Sequence, residues 1–323
     1  MKRIMAMVFC VLLTLGLIAN VWAGSKPKKI GIVIAAFGTT YPKALHALLN
    51  VQNKIQQTFP TAKVKMAFTS NIIRRIWQKR QNDPKWTVRT DIPKEIFYVK
   101  TPLATIADLQ NQGYKTIIVQ PTHFFMGEEY LDLRSYIDGL NSIKTIKKKW
   151  MPFDKLVLSR PLTGCWGVEH DYHEDLEKTA RALKPDVELA KSKNAALVYM
   201  GHGNEFFSTG IYIELQTLMR KIYPGVKIFI GTVEGFPSLD DVLAGLKHAK
   251  VKKVVLKPLM MVAGDHANND MAGPDKDSWK SQIEAQGIKV YPVLKGLGEN
   301  PKVVEIFVEH IKDTIKDHHI AMP

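Results

Sequence analysis

The sequence predicts an α/β protein made of two similar lobes, each a parallel sheet flanked by helices, with a cleft between them. Three observations lead there. Short β-branched apolar runs alternate with helix-period segments along the chain, the pattern of parallel sheets covered on both faces. The chain also repeats itself. The stretch Thr116 to Glu129 aligns with Lys253 to His266, matching Pro121 to Pro258 and Gly127 to Gly264; Val33 to Gly38 aligns with Val198 to Gly203, placing Phe37 opposite His202. Finally, several apolar runs end in glycine-flanked turns that present one histidine or one carboxylate, as ligand-binding strand ends do in such sheets.

Strands are expected at 29–37, 62–68, 116–120, 155–159, 195–200, 226–230, 252–256 and 289–293. Helices are expected at 41–58, 71–79, 102–112, 170–183, 211–223, 239–248, 276–285 and 301–316. The last of these carries a core stripe at Val303, Val304, Phe307, Ile311 and Ile315. The lobes are set at 24–185 and 186–323. The stretch 71–100, rich in charge and carrying Trp77 and Trp86, reads as an insertion in the first lobe.

The first 23 residues read as a cleaved secretory signal peptide. Lys2 and Arg3 form a basic start, Val8 to Ile18 is almost unbroken apolar sequence, and Val21-Trp22-Ala23 places small residues before the cut. The apolar run is short for a membrane span. The expected mature chain begins near Gly24 and is periplasmic. Its one cysteine, Cys165, permits no internal disulfide and no cysteine-based zinc site. The formal charge is +14. A basic chain attracts polyanions. No nucleic-acid-binding signature is present, so a polycarboxylate small molecule or an anionic membrane surface suits it better, with no nucleic acid as partner.

Three turns carry the candidate chemistry. His202 sits between glycines after one strand of the second lobe, Glu234 lies in Gly231-Thr-Val-Glu-Gly235 after the next, and His266 follows a third. Successive members are 32 residues apart, one strand–helix unit each. Each alone reads better as a polar turn residue or helix cap. Together, two imidazoles and a carboxylate make an open site for a borderline divalent metal. By the repeat, His123 and the pair Glu128 and Glu129 of the first lobe face the same cleft. His123 is alternatively a buried, hydrogen-bonded histidine among Phe124 and Phe125. His46, His248 and His310 lie on helical patterns and read as ordinary; His170 and His173, three apart, read as solvated helix residues. A Walker loop, G-x-G-x-x-G, G-x-S-x-G and H-E-x-x-H are all missing from the sequence, so ATP use, dinucleotide chemistry and serine hydrolysis have no motif behind them.

At these residues the chain resembles the anaerobic-type sirohydrochlorin cobaltochelatases, members of the ATP-independent class II tetrapyrrole chelatases that also include ferrochelatase. The resemblance covers nearly the whole mature chain. It rests on Ala36-Phe-Gly-Thr-Thr40, Pro121-Thr-His-Phe-Phe-Met-Gly-Glu-Glu129, Met200-Gly-His-Gly203, Gly231-Thr-Val-Glu-Gly235 and, most specifically, Gly264-Asp-His-Ala-Asn-Asn-Asp-Met-Ala-Gly273. It implies two flavodoxin-like, chelatase-like lobes around the macrocycle. It also implies a lyase of cobalamin or siroheme synthesis, with His202 and His266 as the paired cleft histidines and Glu234 as the acidic residue beside them. The substrates would be sirohydrochlorin and Co²⁺, alternatively Fe²⁺, with no nucleotide. The chemistry agrees: insertion removes two pyrrole protons, and a neutral imidazole can hold the metal and accept a proton. Export departs from the cytoplasmic setting of these pathways. The alternative is a periplasmic binding or carrier protein for a metal ion or a tetrapyrrole such as haem. Homo-oligomerisation is left open.

Overall fold

A computed structural model describes residues 29–167, 169–205 and 210–322. The signal peptide expected at 1–23 lies outside the described residues. Two four-stranded parallel sheets form the frame. In the first, β1 (Ile30–Ala36), β2 (Lys63–Phe68), β3 (Thr116–Pro121) and β4 (Lys155–Leu158) run in the order β2-β1-β3-β4. In the second, β5 (Ala196–Gly203), β6 (Ile228–Glu234), β7 (Lys253–Pro258) and β8 (Lys289–Pro292) repeat that order as β6-β5-β7-β8. Every pairing is parallel. The central strands read as unbroken apolar runs because both faces are covered; all seven residues of β1 are buried.

All eight expected strands form. Their ends differ where function concentrates. β6 starts two residues later than expected and runs on to Glu234, and β5 runs on to Gly203. Thus His202 and Glu234 lie inside the last turns of their strands rather than after them. The reason is pairing: Gly203 opposes Glu234 across the β5–β6 ladder, which holds polar and glycine residues that composition alone would assign to a loop.

The helices that matter for the site are α1 (Leu45–Thr58), α2 (Asn71–Arg80), α3 (Pro102–Asn111), α4 (Glu128–Asn141), α5 (Tyr172–Ala182), α6 (Lys184–Ser192), α7 (Gly210–Ile222), α8 (Leu239–His248), α9 (Trp279–Ala285) and α10 (Pro301–Asp317). Two of these are missing from the expected set. α4 buries only Tyr130, Leu133 and Ile137, a thin stripe masked by charge, but its acidic first turn suits the positive end of a helix. α6 starts with Pro185 in its first turn; a proline that reads as a stop for α5 is a start for the next helix. No described helix is long and apolar enough to cross a membrane.

One apolar cluster joins the lobes. It runs from Ile32 and Ile34 of β1 through Leu45 and Leu48 of α1 to Leu197 and Tyr199 of β5, with Phe307 and Ile311 of α10 among them. The helix α10 follows the second sheet in sequence yet docks on the first lobe. Lys54 pairs with Glu305, and Thr314 Oγ1 donates to Ser159 Oγ at 3.0 Å. Beneath it lies a buried ionic knot. Arg160 contacts Asp175 at 2.6 Å and Asp313 at 2.7 Å. His310, read from sequence as an ordinary helix residue, is fully buried there: Nδ1 lies 3.2 Å from the Arg160 carbonyl and Nε2 3.2 Å from Asp175 Oδ1. Both neighbours are acceptors while a neutral imidazole has one N–H, so one contact goes unsatisfied unless the ring is protonated. Burial resists that and holds His310 below its ordinary value.

The stretch 71–100 folds onto the first lobe rather than standing off it. Trp77 is fully buried and its indole N–H donates to the Thr39 carbonyl at 2.8 Å. Trp86 and Phe97 meet its ring edge-on, and the Arg80 guanidinium lies 3.8 Å over Trp86.

Candidate functional site

Both sheets change direction between their two middle strands, so each has a switch point at the carboxyl ends of β1 and β3 or of β5 and β7, where ligands bind in open α/β sheets. In this fold the two switch points abut. Phe37, one residue past β1, lies 6.3 Å from the His202 ring at the end of β5. Between them opens a cavity of 440 Å³. Its walls are mainly apolar: Ile72, Ile73 and Ile76 of α2 on one side, Phe124 and Phe125 after β3, and Leu259 to Val262 after β7. No lysine or arginine is among the described residues lining it. The net positive charge expected to grip a polyanion therefore lies outside the cavity proper. A larger groove of 570 Å³ runs along β6 and α8 past Arg220, Phe236 and His248, away from the candidate residues.

His202 and His266 both line the cavity, with ring centroids 5.0 Å apart and planes nearly perpendicular. Glu234 Oε2 stands 4.0 Å from His202 Nδ1. The structure thus brings together the three residues that sequence spacing singles out. All three stay partly exposed, His202 at 31% and Glu234 at 41%, so an ion can reach them. They do not stand as a closed set: among the described residues no group of three His, Cys, Asp or Glu side chains is drawn tightly enough to hold a metal ion.

The local chain explains the placement. Gly203 has φ +79°, and a Cβ there would sit 1.7 Å from the Glu234 carbonyl oxygen; a Cβ on Gly201 would meet Tyr212 at 2.4 Å. Glycine on both sides of His202 is what lets β5 and β6 close up and Tyr212 pack beneath. His266 does not follow β7 directly. It caps a π-helical turn, Ala267–Met271, whose wide winding brings Asp270 beside it. Asp270 Oδ2 lies 2.5 Å from His266 Nδ1, a carboxylate contact of the kind that orients an imidazole whose other nitrogen serves as a ligand. Sequence reasoning missed Asp270, although its position four residues after His266 was a readable signal. Tyr41 was missed too. Its hydroxyl donates to Asp265 Oδ1 at 2.9 Å and ties the first lobe to this turn.

From the first lobe, His123 and Glu129 line the cavity as the repeat implied; Glu128 does not. Glu129 belongs to the first turn of α4. His170 and His173 do not converge: one meets Asp317 at 2.8 Å, the other Asp171 at 2.7 Å. Cys165 is free and buried.

The two-lobed α/β frame with abutting switch points, an apolar cavity and paired histidines at its edge suits a class II tetrapyrrole chelatase, and the relatives of the chain place it in that class. Residues 30–316 match the family model described as cobalt chelatase (CbiK), and the chain belongs to that family. It is 31% identical over 283 residues to the sirohydrochlorin cobaltochelatase CbiKC of Nitratidesulfovibrio vulgaris, covering 88% of this chain and 89% of the relative. It is 30% identical over 290 residues to the sirohydrochlorin cobaltochelatase of Salmonella typhimurium, covering 89% and 97%. Among solved structures, the sirohydrochlorin chelatase SirB from Bacillus subtilis subspecies spizizenii, in complex with cobalt, shares the fold with a TM-score of 0.53 at 12% identity, over 91% of this chain and 98% of that one.

Proposed function

We propose that this protein inserts Co²⁺ into sirohydrochlorin without consuming a nucleotide. The observation that carries the reading is the imidazole pair of His202 and His266, 5.0 Å apart at the mouth of an apolar cavity with Glu234 beside it. Membership of the cobalt chelatase family and the activities named for its relatives support the choice of substrates.

The chemistry divides among the residues as follows. The apolar walls take the flat macrocycle, whose carboxylates project beyond them toward solvent and the basic surface. His202 and His266, neutral, present nitrogen lone pairs to the incoming ion, with Glu234 offsetting its charge. As the metal enters, two N–H protons leave the ring, and these same bases accept them. Asp270 keeps His266 turned correctly throughout. Insertion conserves charge: one dication enters and two protons depart.

Absorbance change on mixing purified protein, sirohydrochlorin and Co²⁺ in nucleotide-free buffer tests this. Catalytic turnover beyond one equivalent of protein is expected, with Fe²⁺ as the comparison metal. Tight stoichiometric binding with no rate above the protein-free control would overturn it.

We further propose that the chain is exported and acts in the periplasm, matured at its Val21-Trp22-Ala23 site. Amino-terminal sequencing of the native protein should begin near Gly24; an intact Met1 in the cytosolic fraction would contradict the proposal.

A further inference from the structure

We propose that His123 is a second, metal-independent contact to the macrocycle, hydrogen-bonding its inner nitrogens from the first lobe. The inference rests on the cleft being the sirohydrochlorin site. His123 lines the cavity, yet both of its ring nitrogens are shut off from solvent and have no hydrogen-bond partner among the described residues. An unsatisfied buried polar group costs about 1–3 kcal/mol, and an apolar side chain would fill the same place without that loss. The fold gains nothing from an imidazole here, so its partner is a ligand.

The backbone on either side is held in place, and rotation about the side-chain bonds is what brings a ring nitrogen to a ligand in the cavity. Thr122 N–H donates to the Ala35 carbonyl at 2.9 Å, and the His123 carbonyl accepts from Leu162 N–H at 3.0 Å. The next residue, Phe124, stacks on Tyr212 at 5.0 Å, where the lobes meet. His123 therefore stands at the end of β3, at the first sheet's switch point, while the metal-binding pair stands at the second's.

The chemistry of the recess selects the contact. A neutral imidazole offers one N–H donor and one lone pair. A free-base tetrapyrrole offers two N–H donors and two imine acceptors at its centre. A carboxylate of the ring periphery is held best by a cation, and no described lysine or arginine lines the cavity. Burial pulls His123 down to about 4, so the ring stays neutral at physiological pH and sets no positive charge against an arriving dication. It is not a metal ligand in this account. It seats the free-base ring and is released once the inner nitrogens have taken the metal, which favours release of product.

The test titrates metal-free sirohydrochlorin into wild type, His123→Phe and His123→Leu, at low and high salt, and separately titrates Co²⁺ alone. Both variants should bind the macrocycle about tenfold more weakly, the size of one buried hydrogen bond, by the same factor at both salt concentrations. Their Co²⁺ affinity should match wild type, and their melting temperatures should equal or exceed it. His123→Asn, which keeps a donor and an acceptor, should recover part of the loss. Wild-type macrocycle affinity in whichever variant folds would overturn the inference, as would lost Co²⁺ binding, or a defect that vanishes at high salt. If wild type itself binds no sirohydrochlorin, the proposed function fails, and the role of His123 with it.

Discussion

His202→Ala and His266→Ala will each lower the rate of Co²⁺ insertion by two or more orders of magnitude while leaving the fold intact. Under the proposed function each change removes a metal ligand and a proton acceptor together, and positioned acid–base groups alone contribute roughly 10²–10⁴-fold. Both side chains are partly exposed at the cavity mouth, so truncation leaves no buried hole. Glu234→Ala should lose a comparable amount, since its carboxylate is proposed as the third ligand to the ion. Asp270→Asn should cost about 10–100-fold, since it removes the carboxylate that orients His266. His248→Ala, on α8 and away from the cavity, should be silent. Steady-state rates for the five variants at saturating sirohydrochlorin check this. Wild-type rates in both histidine variants would remove the site from the account.

The second large effect concerns stability. Arg160→Met should destabilise the protein by about 3–5 kcal/mol, because it strands the buried Asp175 carboxylate beside His310. For a chain of this size that is a fall in melting temperature on the order of 10 °C. Arg160→Met combined with Asp175→Leu should recover much of it, since removing a buried pair outright costs far less than breaking it. The same knot predicts acid sensitivity. Burial raises the Asp175 carboxyl, but the His310 ring beside it and the bonds and charge of the Arg160 guanidinium outweigh this and hold it well below the usual carboxylate range. His310 and His123 are likewise depressed, by burial. A folded-state value below the unfolded one gives stability that is present above the unfolded value and lost as pH falls. Melting temperature should therefore decline from about pH 6.5 as the histidines begin to protonate in the unfolded chain, and more steeply below about pH 4, when the unfolded carboxylates do so. Calorimetric scans from about pH 7.5 down to about pH 2.5 check both; a melting temperature that rises on acidification would contradict the assignment.

Much of this was legible in the sequence because two strong signals coincided. Unbroken apolar runs mark strands buried on both faces, and a repeated turn chemistry placed His202, Glu234 and His266 at equivalent ends. What was not legible depended on contacts distant in sequence. His310 looks like any helix residue until α10 crosses to the first lobe and sets it against Arg160 and Asp175. α4 was hidden because a three-residue buried stripe is too thin to stand out from its charges. Glu234 was placed after its strand because a glycine-rich stretch reads as a loop, whereas pairing with Gly203 keeps it extended. Asp270 and Tyr41 matter through their partners, and a π-helical turn breaks the regular period by which such partners are usually found.

The central claim is that one metal ion is taken up jointly by His202, Glu234 and His266 before it passes to the ring. Anomalous scattering at the cobalt edge from crystals soaked in Co²⁺ alone tests it most directly. The account predicts one dominant peak at the cavity mouth, about 2.0–2.2 Å from an imidazole nitrogen of His202 and of His266 and from a Glu234 oxygen, with Asp270 still bonded to His266 Nδ1. A dominant peak elsewhere, such as at His170 and Asp317 or along the groove by His248, with the cavity mouth empty, would contradict it.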